Sequence, residues 1–234
     1  MSNKLKYIGF IFAKKISSGL PNKNIMEFNG IPLIAHTIKQ AQETDIFDDI
    51  VVSTDCPVIA EISIKYGASV PFMRPSNLAK FNTPELDCWK HAINEYRNLI
   101  SDFDYFVSLP CTSPLRTPKT IQDLINSHTS KHDLTLCVTP SGRSPYFNMV
   151  KKDNNDTISL VIEGKFNNRQ DAPMTYDVTT VGYISTPKYI LSANHLFDGK
   201  IGSHIVDKKI SIDIDDIDDF NIAQCLSDNI DLEK

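Results

Sequence analysis

Two aspartates spaced by one residue, Asp213 and Asp215, lie in the run Ser211-Ile212-Asp213-Ile214-Asp215. If the run is an extended strand, positions i and i+2 face the same side, and both carboxylates can converge on one hard cation. Mg²⁺ bridging a nucleotide phosphate is the natural guest. Alternation with Ile212 and Ile214 supports the strand, whereas Asp216, Asp218 and Asp219 read as the negative first turn of a following helix. Near the other end, residues 13–24 offer a triphosphate what it binds: backbone N–H groups, the Ser17 hydroxyl, the Asn24 amide, and Lys14, Lys15 and Lys23 as point charges. Ala13, Lys14, Lys15, Ser17, Lys23 and Asn24 are the nucleotide-binding candidates of this segment. It has neither the GxxxxGK[ST] nor the GxGxxG spacing, and a solvated polar loop has the same composition.

Two further segments carry polar groups suited to ligands. In Pro110-Cys111-Thr112-Ser113-Pro114-Leu115-Arg116, hydroxyls such as Thr112 can read a base or ribose, and Arg116 can fork onto a carboxylate of a substrate or of the fold itself. In Asn167-Asn168-Arg169-Gln170-Asp171, Arg169 and Gln170 can hold a sugar acid, or Arg169 can pair internally with Asp171. The six histidines have no metal-ligand spacing. Cys111 reads as a small buried thiol and takes no catalytic role.

Positioning these groups requires a scaffold, and the chain alternates short apolar runs with helical periodicity. That pattern predicts an α/β fold with a mostly parallel sheet flanked by helices. Strands are expected over 7–12, 50–53, 105–109, 134–138 and 179–184, with a final strand over 210–214. Helices are expected over 32–43, 58–66, 85–98 and 118–127, after Pro187, and on to about Ser227. The candidate groups at 13–24 and 110–116 follow strands directly, where an open α/β sheet binds its ligands. Between 140 and 176 the texture changes, and strands near 146–151 and 158–162 flank the turn Asp153-Asn154-Asn155-Asp156 as an inserted hairpin.

The 234 residues, 41% of them hydrophobic, suffice for a single domain spanning 1–234. A formal net charge of −5 without a basic stripe argues against a nucleic-acid partner. Residues 7–13 are too short an apolar run to span a membrane, and five scattered cysteines fit reduced thiols in a cytoplasm.

The chain resembles the acylneuraminate cytidylyltransferases, the CMP-sialic acid synthetases and their relatives acting on legionaminic and pseudaminic acids. The resemblance runs nearly end to end, through Gly19-Leu20-Pro21-Asn22-Lys23-Asn24-Ile25, Val51-Val52-Ser53-Thr54-Asp55, Val70-Pro71-Phe72-Met73-Arg74-Pro75, Thr112-Ser113-Pro114-Leu115-Arg116, Arg169-Gln170-Asp171 and Ser211-Ile212-Asp213-Ile214-Asp215. It implies a Rossmann-like nucleotidyltransferase that moves CMP from CTP to the anomeric hydroxyl of a nonulosonic acid. Lys23 and Asn24 would touch CTP, Asp213 and Asp215 would hold Mg²⁺, and Arg169, Gln170 and Arg116 would face the sugar acid. It further implies a homodimer built through residues 140–176, with each arm reaching over the neighbour's site.

The sequence also departs from the family. Lys14 stands for an arginine, Lys15-Ile16 for a glycine pair, Ser18 for a lysine, Pro110 for a glutamine, and Thr179-Thr180 for Asn-Gly. Losing the arginine loses a bidentate fork, and losing glycines restricts backbone approach to phosphate. The alternative expectations are a nucleotidyltransferase for another sugar acid or capsule precursor, and a non-catalytic nucleotide-binding relative.

Overall fold

The computed structural model describes residues 4–17 and 19–227. The chain begins with β1 (Tyr7–Phe12), turns through the short pair β2 (Glu27–Phe28) and β3 (Ile31–Pro32), and enters helix α1 (Leu33–Gln42). There follow β4 (Asp49–Ser53), α2 (Pro57–Lys65), α3 (Glu85–Leu99), β5 (Tyr105–Ser108), α4 (Pro118–Ser127) and β6 (Leu134–Pro140). The hairpin β7 (Val150–Lys152) and β8 (Ile158–Leu160) interrupts this alternation before β9 (Tyr176–Ser185), α5 (Pro187–Ser192), β10 (Ile201–Ile205) and α6 (Ile217–Ser227) complete it.

Six strands form one sheet in the order β10-β6-β9-β5-β1-β4. β1 pairs parallel with β4 and β5, and β10 parallel with β6, while β9 runs antiparallel between β5 and β6. The sheet is therefore mostly parallel, as the alternating pattern predicts. The inserted hairpin is a separate two-stranded sheet in the register Val150↔Leu160 to Lys152↔Ile158.

Alternating residues of β1 feed both faces of the sheet. Phe10 stacks on Phe106 at 4.9 Å and belongs to an aromatic cluster with Trp89, Tyr96 and Phe103 under α3. Ile11 packs with Ile34, Ile38, Ile121 and Leu124 beneath α1 and α4. Such fully buried side chains each contribute about 1.5–3 kcal/mol of transfer free energy. α4 starts sharply because Thr117 caps the Thr120 N–H and Pro118 occupies its first turn.

A third cluster matters most for the site. Ile214 is fully buried among Leu20, Phe28, Leu33, Leu115, Phe220 and Ala223, which ties the segment before α6 to the loop after β1. That packing corrects the expected strand at 210–214. The last strand of the sheet is instead Ile201–Ile205, and residues 210–214 form a turn and an irregular connection. The Ile212/Ile214 alternation serves a plug between elements, not a ladder. β10 is hard to read because Gly202, Ser203 and His204 are poor strand formers placed at a sheet edge.

Candidate active site

The site grows from the carboxyl ends of β1, β4 and β5. Ala13, fully buried, donates its N–H to Ser53 O at 3.1 Å and thereby fixes where the following loop leaves the sheet. The loop is then held by Lys15 N–H on Asp55 Oδ1 (2.8 Å) and Asn24 Nδ2 on Lys14 O (3.0 Å). Asn22 takes the left-handed conformation (φ 58°), which asparagine tolerates, and starts a single 3₁₀ turn over Lys23–Ile25. This turn sends Lys23 across the cleft, where Nζ donates to Ile214 O at 2.6 Å and to Asp215 Oδ1 at 3.1 Å. Gly19 lies so close to the acidic segment before α6 that a Cβ there would stand 2.2 Å from Asp215 O. Only glycine permits this approach.

The acidic segment is fixed on several sides. Ile214 N–H donates to Thr112 O at 2.8 Å, and Asp215 N–H to Asp219 Oδ2 at 3.0 Å. Asp213 Oδ1 is buried without a hydrogen-bond partner, whereas the Asp215 carboxylate opens to solvent. Burial raises the Asp213 pKa, opposed by the Thr112 and Thr180 hydroxyls, reinforced by the Asp215 charge and opposed again by Lys23. An unpartnered carboxylate oxygen beside a second carboxylate is a donor set for a hard divalent ion that takes its other ligands from phosphate and water. Among the described residues no three His, Cys, Asp or Glu side chains gather into a metal cluster.

These groups border one cleft of about 300 Å³. Lys14, Ser17, Lys23, Asn24, Thr112, Asp213 and Asp215 all line it. Lys15 does not, and its ordered contact is the backbone bond to Asp55. Ala13 acts below the cleft as an anchor. Ser18 lies outside the described residues.

Several residues of the cleft have no role assigned from sequence, among them Arg74, Glu85 and Thr180. Arg74, buried, donates Nε to Ser53 Oγ (3.1 Å) and a terminal nitrogen to Ser53 O, with its guanidinium 5.6 Å over the Phe12 ring. Its only sequence signal was membership in the run Val70 to Pro75. Glu85 opens α3 at the cleft wall. Although Glu85 is an exposed residue, its position at the cleft wall partly desolvates the carboxyl and raises it to about 7, with Asp213 adding to the rise and Trp89 and Arg74 opposing it. Thr180, on β9, shares a 2.8 Å hydrogen bond with Ser113 Oγ. Cys111 also lines the cleft, but burial pushes its thiol up to about 12, so it supplies no thiolate.

The expectation that Arg116 meets substrate is corrected. Arg116 is 2% exposed, and its guanidinium donates to Val181 O (2.6 Å), Pro110 O (3.3 Å) and Thr37 Oγ1 (3.1 Å). Burial lowers its pKa to about 10, and backbone carbonyls, not a carboxylate, receive it. It clamps β9 to the loop after β5. Arg116→Met is therefore expected to destabilise the protein by about 2–3 kcal/mol in urea unfolding, by leaving buried acceptors unpaired. A rise in KM for the acid at unchanged stability would restore the substrate role.

Arg169 and Gln170 lie elsewhere. They are exposed on a 3₁₀ turn of the arm and border a separate depression of about 270 Å³, where Arg169 donates to Ser141 O at 2.6 Å. Asp171 accepts from Asn168 instead of pairing with Arg169. Within one chain the sugar-acid candidates and the nucleotide candidates thus occupy two pockets.

The cytidylyltransferase family profile matches residues 8–197. The chain is 34% identical over 218 residues to a CMP-N,N'-diacetyllegionaminic acid synthase of Campylobacter jejuni, covering 92% of each protein. It is 29% identical over 222 residues to an N-acylneuraminate cytidylyltransferase of Escherichia coli, covering 94% of this chain and 52% of that protein. The solved structure of a CMP:2-keto-3-deoxy-manno-octonic acid synthetase complexed with CTP superposes with a TM-score of 0.72 at 13% identity, over 96% of this chain and 99% of that one, and shows the shared nucleotidyltransferase fold.

Proposed function

This chain belongs to the cytidylyltransferase family, and from that premise we propose that it transfers CMP from CTP to the anomeric hydroxyl of a sialic-acid-like nonulosonic acid, releasing pyrophosphate. The observation that carries the reading is the joining of Lys23, Thr112, Asp213 and Asp215 in one cleft at the carboxyl ends of the parallel strands. The legionaminic acid synthase, similar over nearly its whole length, supports the acceptor class.

In this reading the anomeric hydroxyl oxygen attacks the α-phosphorus of CTP, an O–P bond forms, the O–H proton passes to solvent, and the bond to the bridging oxygen of pyrophosphate breaks. Lys14 and Lys23 supply positive charge along the triphosphate, and Asn24 and Thr112 orient the nucleoside. Asp213 and Asp215 would hold Mg²⁺, whose chemistry is to offset charge on the triphosphate and the leaving pyrophosphate. The unpartnered Asp213 Oδ1 and the open Asp215 carboxylate suit that ion.

Arg169 and Gln170 would orient the sugar acid, but across a homodimer. The arm and the adjoining half of β9 expose Met174 (76%), Ile158 (62%), Val150 (54%) and Val178 (51%), an apolar surface that a second copy would cover. Among the described residues no helix is long and apolar enough to cross a membrane, and we place the reaction in the cytoplasm, where CTP is made.

The test is pyrophosphate release from CTP with N,N'-diacetyllegionaminic, pseudaminic, N-acetylneuraminic and octulosonic acids offered singly. Release is expected with at least one nine-carbon acid. Release with the octulosonic acid alone, or with none of them from folded protein, would overturn the assignment.

A further inference from the structure

Lys23 reaches two acceptors of the acidic segment at once. Its Nζ is 2.6 Å from Ile214 O and 3.1 Å from Asp215 Oδ1, and its side chain is only 14% exposed, while that of Asp215 is 77% exposed. The ammonium is thus anchored at a sheltered carbonyl and touches Asp215 with its outward side. Asp213, two residues away, is paired with no ammonium among the described residues, and its buried Oδ1 accepts no hydrogen bond, although the Thr112 and Thr180 hydroxyls lie close to its carboxyl. The segment itself is braced by Ile214 N–H on Thr112 O, Asp215 N–H on Asp219, and the close approach of Gly19 to Asp215 O. With the backbone so fixed, the Lys23–Asp215 contact can change without moving the segment.

We propose that Lys23 is an internal stand-in cation: it neutralises Asp215 within the chain, competes there with a divalent ion, and releases the carboxylate when a triphosphate claims its ammonium. This rests on the reading of Asp213 and Asp215 as the metal pair. One ammonium cannot serve a carboxylate and a polyphosphate at full strength, so nucleotide binding at Lys23 raises the affinity of Asp215 for a cation, and by reciprocity a cation on Asp215 frees Lys23 for nucleotide. The sheltered bond to Ile214 O keeps the ammonium at the cleft during the exchange. The consequence is an order: the divalent ion binds poorly ahead of the nucleotide and well with it. Because Asp215 is largely solvated, the competition is bounded by what an exposed ion pair can contribute, a factor of about five.

The probe is Mn²⁺ alone, titrated by paramagnetic resonance into the full chain without nucleotide. Lys23→Met is expected to bind Mn²⁺ about fivefold tighter than the unsubstituted protein. Lys14→Met, which removes a charge from the same cleft without touching Asp215, is expected to leave the affinity unchanged. Its ammonium instead lies 5.5 Å over the Phe81 ring. A second measurement does not depend on Lys23→Met folding. In metal-free buffer, Asp215→Asn is expected to tighten CTP binding by about fivefold more than Asp213→Asn, although each removes one charge. Equal Mn²⁺ affinity in Lys23→Met and the unsubstituted protein, with Asp213→Asn weakening both, would overturn the stand-in role and leave the metal pair standing. Equal gains in CTP affinity from the two aspartate substitutions would overturn it as well. Mn²⁺ binding indifferent to both Asp213 and Asp215, with or without CTP, would overturn the metal pair and the stand-in role together.

Discussion

Asp213→Asn is expected to lower the turnover of CTP with its sugar acid about a thousandfold, a loss of roughly 4 kcal/mol of transition-state stabilisation. The substitution keeps the shape of the side chain and removes the charge from a carboxylate whose Oδ1 is buried without a hydrogen-bond partner. Stability should hold or rise slightly. Burial already disfavours the ionised Asp213 carboxyl, so a folded-state pKa above the unfolded value makes the ionised form a net cost at neutral pH. Asparagine removes that cost, and the difference vanishes in acid, below the unfolded pKa, where both states are protonated. Parallel measurements of initial rate and thermal midpoint at pH 7 check both halves. A variant with full turnover would remove Asp213 from the machinery, and one that unfolds early would make its role architectural.

The second large effect concerns the arm. Ile158 and Val178 are exposed apolar residues on the hairpin and on the adjoining half of β9. Placing aspartate at both, Ile158→Asp with Val178→Asp, buries two charges in any interface that uses this surface. Sedimentation is expected to shift from two chains to one, and turnover to fall by about a hundredfold because the acid loses the groups that orient it. CTP affinity should stay within about twofold, because Lys23, Asn24 and Thr112 belong to a cleft formed by a single chain. A dimer that survives the double substitution would move the interface elsewhere. A monomer with full turnover would detach Arg169 and Gln170 from the acceptor.

The scaffold was readable where burial and periodicity agree. β1 at 7–12 and α4 at 118–127 follow their predicted bounds, the first because a parallel strand buried on both faces reads as an unbroken apolar run, the second because Thr117 and Pro118 mark its start. The same logic misread 210–214. Apolar alternation reports that side chains are alternately buried, and Ile214 is buried by a plug of loop and helix residues, not by strand neighbours. Asp213 and Asp215 nevertheless reach the cleft, because the bonds to Thr112 O and from Lys23 fix the segment as a ladder would have done.

Arg116 was misplaced for a different reason. A guanidinium near a ligand-binding strand end suits a carboxylate or buried backbone carbonyls equally well from sequence, and only the position of Val181 O and Pro110 O decides between them. Arg74 shows in the sequence only as part of the run Val70 to Pro75, and Glu85 belongs to no motif. They join the site because the chain between β4 and α3 folds back over Phe12, a long-range contact that local spacing does not encode. Arg169 and Gln170 expose the same limit at the level of assembly, since one chain keeps them in a pocket apart from Lys23.

Phosphorus resonance on a mixture of the protein, CTP, Mg²⁺ and N,N'-diacetyllegionaminic acid tests the proposed transfer most directly. The account predicts that the three CTP signals decline together while a pyrophosphate signal and a phosphodiester signal grow in a two-to-one ratio of phosphorus, equimolar as products, and only when a nonulosonic acid is present. Conversion of CTP to CMP without acid, or CTP left intact by folded protein across the nine-carbon acids, would contradict it.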